Sequence, residues 1–312
     1  MTAGGREHSR HLVLMGPTAV GKTAAALELA GDRFEIVSAD SVQVYKYLDV
    51  GSGKPERADR DRIPHHLIDI VEPDVSFTAG EFCREAEKAI NLIAAHSRLP
   101  MIVGGAGLYI DAYFQGLSEI PEIAPGVREA IRVELEDGGL QRLHDELVLV
   151  DPAFGNRIHP NDTQRILRGL EVYRATGRPL SSYYAAKRRY GSEDTLFIGL
   201  YEERADLRKR INARVDSMFG RGFVEEVRSL RERGYGPDLN SMQSIGYAEI
   251  NRYIDGAVGL DETIQRIKTA TGQYAKRQMT WFRKNERVVW VRAGDMENMR
   301  LLIQQWLDGS EA

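Results

Sequence analysis

The residues Gly16, Pro17, Thr18, Ala19, Val20, Gly21, Lys22 and Thr23 fit G-x-x-x-x-G-K-[ST] in full. An apolar run precedes them and a helical pattern follows, the context this motif requires. The two glycines let the backbone curl until its N–H groups converge on an anion, assisted by a helix N-terminus. Lys22 adds a point charge, and the Thr23 hydroxyl can ligate Mg²⁺. The motif specifies a di- or triphosphate and does not choose between them. A second chemical group is Asp40, at the end of the run FEIVSAD, where ligands of open α/β sheets bind. The next run ends IVGGAG, without an acid. Asp40 therefore reads as a metal-side acid or a general base, against the plainer alternative of a turn or helix-capping aspartate. His65, His66 and Asp69 fall in HHLIDIV. Adjacent histidines on a strand point to opposite faces, so a structural role is the expectation for both.

These groups need a sheet edge to hold them. Three β-rich runs, 11–16, 34–40 and 100–105, alternate with helical patterns, including one at 79–96, and so predict a parallel α/β sheet. From 122 to 194 the texture is helical with prolines and no strand. Strand signals return at 195–201 and 287–294. The expected organisation is a catalytic core of 1–121 and 195–312 with a mainly helical insertion of 122–194.

The chain has 312 residues, 42% apolar and 28% charged, enough for one large domain or two modest ones. It has no membrane-length apolar run and no signal-peptide core in the first ten residues. Its single cysteine, Cys83, excludes an intramolecular disulfide and suits a reducing cytosol. A net charge of −4 argues against a uniformly basic nucleic-acid binder. Positive charge is nevertheless segregated. Residues 156–190 hold eight Lys/Arg against Asp162 and Glu171, and residues 264–284 hold six with no acid. Such segments can form a patch for a phosphate backbone.

With GPTAVGKT and HHLIDIV, the stretches DSVQVYKYLDVGSGKP, IVGGAGLYI, RIHPNDTQRILRGLEVYRATG, GFVEEV, SIGYAEI and QYAKRQMTWFRK extend the pattern in order from about residue 11 to 290. In this the chain closely resembles the tRNA dimethylallyltransferase (tRNA isopentenyltransferase) family. The resemblance implies a P-loop NTPase-like parallel sheet flanked by helices. It implies that the loop holds dimethylallyl diphosphate, with Mg²⁺ on Thr23 and Asp40. The allyl group would pass to the exocyclic amine of adenine at position 37 of tRNA, beside the anticodon, and Asp40 would take the amine proton. The chain ends without the zinc finger of eukaryotic members, so a bacterial-type enzyme is expected; separately, a cytoplasmic monomer is expected.

The resemblance also assigns residues. An arginine of the helix after the insertion would meet the diphosphate, either Arg210 or Arg214, though both can equally be solvated surface groups. Ser41, Val42, Gln43 and Val44 would meet the bases. Gln164, Arg165, Ile166, Leu167 and Arg168 would contact tRNA from the insertion, and Gln273, Lys276, Arg277, Trp281 and Lys284 from the last basic segment. Trp281 and Phe282 are equally good core residues, and at least one of them is expected there. One position departs from the family. Ala106 stands where a threonine is common, so its place near the flipped base is carried with a methyl group only. Two other enzymes fit the loop alone: an adenine-nucleotide isopentenyltransferase and a kinase or ATPase. A non-catalytic RNA-binding protein would not need an intact GKT.

Overall fold

The chain folds around β1 (His11–Met15), a strand buried along its whole length. The computed structural model describes residues 10–118, 120–184 and 194–309. After β1 come α1 (Lys22–Ala30), β2 (Phe34–Ala39), α2 (Arg57–Arg62), β3 (His65–His66), α3 (Ala79–Ala95), β4 (Leu99–Gly104) and α4 (Gly107–Gln115). Next are α5 (Pro125–Val150), α6 (Pro152–Gly155), α7 (Thr163–Thr176) and α8 (Ser181–Tyr184). The chain then returns through β5 (Thr195–Tyr201), α9 (Arg204–Gly220), α10 (Phe223–Glu232), α11 (Tyr247–Ile254), α12 (Leu260–Phe282), β6 (Val288–Arg292) and α13 (Met296–Leu307).

Among the described residues six strands form one sheet in the order β3-β2-β4-β1-β5-β6, every neighbouring pair parallel. Side chains alternate across it with period two. Leu12 and Leu14 face a cluster with Ala26, Ala30, Met299 and Ile303. Val13 and Met15 face Phe82, Ile90, Ile110 and Phe282 on the opposite side. Because both faces are covered, the central strands read as continuous apolar runs. This is the P-loop NTPase-like arrangement. From β1 the chain passes β4 to reach β2, and later crosses to β5 on the other side. The loop after β1 therefore lies at a reversal of strand order, where such sheets bind ligands.

A third cluster joins Val44, Tyr45 and Leu48 to the helices after β5 through Val215, Met218, Phe223, Val227, Tyr247, Ile250 and Ile267. The amphipathic spacing on α9 accounts for its share, Val215 and Met218, with Ile211 buried on the same face.

The chain divides into two compact units, 1–114 with 191–312, and 115–190. The division falls several residues ahead of the expected 122 and 194. At its first edge the reason is packing, since Ile120 and Ile123 join the core of the second unit beside Ile131, Leu143, Leu147, Phe154 and Leu170. In that unit α5 breaks its helical backbone at Gly139, whose φ is 74°. Strand ends differ from expectation by one or two residues. No helix among the described residues is long and apolar enough to cross a membrane.

Candidate active site at the carboxyl edge of the sheet

Gly16 follows β1 where no side chain fits, since a Cβ there would lie 2.7 Å from the Leu200 carbonyl. Gly21 takes φ 105° as the residue capping α1. Ala19 is left-handed at φ 63°, Val20 is wholly buried, and Lys22 opens α1. The Lys22 ammonium donates to the Gly16 and Pro17 carbonyls, both at 2.9 Å. Burial pushes its pKa down to about 8, Asp40 pulls it up, and the neighbouring Arg214 pushes it down again.

Asp40 stands one residue beyond β2. Its Oδ1 accepts from the backbone N–H of Val42 at 2.9 Å and of Gln43 at 3.3 Å. The turn role is thus real, but it engages one oxygen only. Lys22, Thr23, Ser38, Asp40, Gln43, His65 and Gly104 line one pocket. Gln43 is held there by both ends of its amide, accepting from the Ser38 hydroxyl at 3.0 Å and donating to the Gly53 carbonyl at 3.4 Å.

Both arginines of α9 reach this edge. Arg210 donates to the Val20 carbonyl of the loop at 3.0 Å and pairs with Glu202 at 3.4 Å. Arg214 donates to the Ser52 carbonyl at 3.3 Å. Burial lowers its pKa against the pull of Asp40. Of the two, Arg214 shares its electrostatic surroundings with Lys22 and Asp40.

The loop that Arg214 touches is held from behind. The Glu226 carboxylate accepts from the N–H groups of Asp49, Val50 and Gly51 at 3.0, 2.6 and 3.2 Å, and from the Tyr247 hydroxyl at 2.8 Å. GFVEEV and SIGYAEI supply these two residues, and neither stretch announces in sequence that it caps a loop 175 residues away. Gln278 was equally unannounced. From α12 it accepts from the Thr18 N–H at 2.8 Å and donates to the Gly105 carbonyl at 2.9 Å.

His65, His66 and Asp69 are each held by protein partners, and of the three only His65 also lines the pocket. His65 bonds the Ile63 carbonyl through Nδ1, and His66 donates from Nε2 to Glu35 at 2.7 Å. Asp69 receives Lys54 and Arg60, both at 2.6 Å.

The residues expected to meet tRNA are unequal. Ser41, Gln164, Arg165, Gln273, Lys276, Arg277 and Lys284 are exposed, and Val42, Gln43, Leu167 and Arg168 half-buried. Val44 and Ile166 are corrections: both side chains are fully buried in apolar clusters and can meet RNA only through their backbone. Phe282 is core. Trp281 packs against Gly107, gives its indole N–H to Asp111 at 2.8 Å, and carries Lys284 over its ring at 5.6 Å. Ala106 is half-buried, and its N–H is bonded to the Ala39 carbonyl at 3.1 Å.

The basic segments are also thinner in space than in sequence. Arg266 pairs with Glu262, and Lys268 with Asp216. That leaves positive charge concentrated at Lys276, Arg277, Arg283 and Lys284. In the other segment Arg174 is taken by Glu134 and Glu146, while Lys187, Arg188 and Arg189 lie outside the described residues.

A family model described as IPP transferase matches residues 43–285, and one described as isopentenyl transferase matches residues 9–69. The tRNA dimethylallyltransferase of Geobacter metallireducens is 48% identical over 293 residues, covering 91% of this chain and 93% of that protein. The tRNA dimethylallyltransferase 2 of Geotalea uraniireducens is 46% identical over 293 residues, with 92% and 93% covered. Among solved structures, the tRNA isopentenylpyrophosphate transferase of Bacillus halodurans is similar at TM-score 0.70 and 36% identity, over 96% of this chain and 97% of that one. A eukaryotic dimethylallyltransferase acting on tRNA reaches TM-score 0.80 at 27% identity, over 97% of this chain and 81% of that one.

Proposed function

The chain belongs to the tRNA dimethylallyltransferase family and is a transferase acting on tRNA, and from that premise we propose how its site works. The phosphate loop holds dimethylallyl diphosphate. Its five-carbon group moves to the exocyclic amine of the adenine on the 3′ side of the anticodon, and diphosphate leaves. One observation carries this reading: Lys22, Thr23 and Asp40 line a single pocket, with Arg214 in electrostatic reach of Lys22 and Asp40.

An allylic carbon–oxygen bond breaks readily once its leaving group is neutralised, because the developing cation is delocalised. Loop N–H groups, the α1 N-terminus, Lys22 and the two α9 arginines are suited to that charge. The adenine amine is a poor nucleophile, since its lone pair is shared with the ring, and it must lose a proton as the new bond forms. Asp40 is the acceptor in this reading. Its Oδ1 is oriented by two backbone N–H groups, and its Oδ2 carries no hydrogen bond from the described residues.

The donor set fits Mg²⁺ bound largely through substrate. Among the described residues no group of three or more His, Cys, Asp or Glu could cage a metal. Thr23 nevertheless puts one oxygen donor on the pocket, and Asp40 a second if it serves the metal rather than the proton, and Mg²⁺ commonly takes its other ligands from phosphates and water. Bound there, the ion would supply charge neutralisation of the leaving diphosphate.

The acceptor base has to leave its stack to reach such a pocket. Exposed Lys276, Arg277 and Lys284, with Gln273, are proposed to hold the RNA backbone from α12. Gln164, Arg165 and Arg168 are proposed to do so from the insertion, and Ser41 to Gln43 to approach the bases. The reading extends to a monomer working in the cytoplasm.

Labelled dimethylallyl diphosphate offered with tRNA, with AMP, and with ATP as competitor tests the proposal. Transfer to tRNA alone is expected. Transfer to AMP would make the enzyme a nucleotide prenylase, and ATP turnover without prenyl transfer would make it a phosphoryl-transfer enzyme.

A further inference from the structure

A phosphate loop turns successive N–H groups toward its anion, and here one of them is already engaged by a distant side chain. Gln278 Oε1 accepts the Thr18 N–H at 2.8 Å, and Thr18 is the third residue of the motif. The same amide donates from Nε2 to the Gly105 carbonyl at 2.9 Å. The residue is only 6% exposed, so neither bond is a surface accident. At Gly105 an added Cβ would lie 2.2 Å from Nε2, so the backbone there approaches as closely as only glycine allows. Gln278 thus fastens the exit of β1 to the exit of β4. Tyr274, one turn earlier on α12, lies beside Gln278 and within the field of Asp40.

We infer that Gln278 sets how many phosphates the loop accepts: it closes the loop's first turn so that a diphosphate fits and a triphosphate does not. An N–H already donating to an amide oxygen offers little to a phosphate. The lone pairs of that oxygen also repel a phosphate oxygen placed beside them. Lys22 leans the same way, its ammonium drawn to the Gly16 and Pro17 carbonyls. The amides of Ala19, Gly21, Lys22 and Thr23 and the α1 N-terminus remain for two phosphates, that of Val20 being drawn to the Pro17 carbonyl at 3.4 Å. A third would have to displace the Gln278 side chain. The inference rests on the proposed reading that this loop holds a diphosphate donor.

The test compares inorganic pyrophosphate with inorganic triphosphate as ligands of the full chain in Mg²⁺, by calorimetry and by inhibition of prenyl transfer. In the wild type pyrophosphate binds more tightly. Gln278→Met keeps the side-chain length and removes both hydrogen bonds. It is expected to cut that preference about tenfold, the worth of one hydrogen bond, and to raise the donor KM more than it lowers kcat. Gln278→Glu is expected to widen the preference, because its charge stands where the third phosphate would lie. Far-UV dichroism and a thermal melt establish that each variant is folded, and should one fail to fold the other carries the test. An unchanged preference in a folded variant overturns the inference while leaving the diphosphate reading intact. A wild type that binds neither anion overturns both.

Discussion

β2 carries an acid at each end, and the two have opposite fates. Glu35, near the amino end, is 2% exposed. It receives His66 at 2.7 Å and His96 at 2.8 Å, with Arg98 at 3.6 Å. Burial alone would raise its pKa, but the bonds from His66 and His96 outweigh that and hold it below the ordinary glutamate value. Asp40, just past the carboxyl end, has one oxygen tied to two backbone N–H groups and the pocket in front of it. The amino edge of the sheet surrounds its acid with protein partners. The carboxyl edge leaves lone pairs for something else. Chemical type does not separate the two; the partners that the fold supplies do.

The largest expected break in this comparison is Asp40→Asn. It keeps shape and removes the proton acceptor, so turnover should fall by a factor on the order of 10² to 10⁴, with little change in melting temperature. Single-turnover assays and donor titrations check it. If donor affinity and the Mg²⁺ requirement change instead, Asp40 serves the metal, and near-normal turnover returns it to a turn aspartate.

Glu35→Ala should do the reverse. Leaving half-buried His66 and Arg98 and the exposed His96 without their buried carboxylate should cost about 1–2 kcal/mol, read by urea unfolding, while activity per folded molecule is preserved at low temperature. The pH sign follows from the depressed pKa. The stabilisation is fully present above the unfolded glutamate value of 4.5 and is lost as pH falls below it through the lower folded value. In acid the wild type should therefore lose stability more steeply than Glu35→Ala.

Charge reversal at Arg277 and Lys284 should weaken tRNA binding about tenfold or more and reduce the salt slope by roughly 2, one for each phosphate no longer neutralised. Donor binding should not change. An unaltered tRNA affinity would remove this end of α12 from the RNA site.

Lys22 gives a smaller effect with a defined direction. With its pKa near 8, the ammonium loses its proton as pH rises through that value. Donor binding should fall about tenfold per pH unit above it, the limit for one required proton. A bound diphosphate favours the charged form and should move the limb upward. Lys22→Arg stays protonated, and a limb that persists in that variant belongs to another group. The smallest change is expected from Ala106→Thr. The site is half-buried and its N–H is already bonded, so activity should hold or improve slightly, within about threefold on the usual scale of a small substitution. A collapse with the fold intact would place the adenine elsewhere.

What the sequence determined by itself is what neighbouring residues settle. The glycine spacing and the GKT that follows it make the anion loop. The apolar runs make buried strands, and Asp40 falls at a strand exit because FEIVSA precedes it. Arg210 and Arg214 share a helix face by spacing alone. The tertiary structure decided which of these groups meet and which side chains are withdrawn. Val44 and Ile166 read as site residues from their motifs, yet each falls on the core side of its element. Lys268 and Arg174 look free in sequence and are paired in space. Gln278 meets Thr18 across 260 residues, and Glu226 caps a loop 175 residues distant. Local sequence governs backbone preference and periodicity. Partners so far apart are brought together only when the sheet and its helices pack, so no short window contains them.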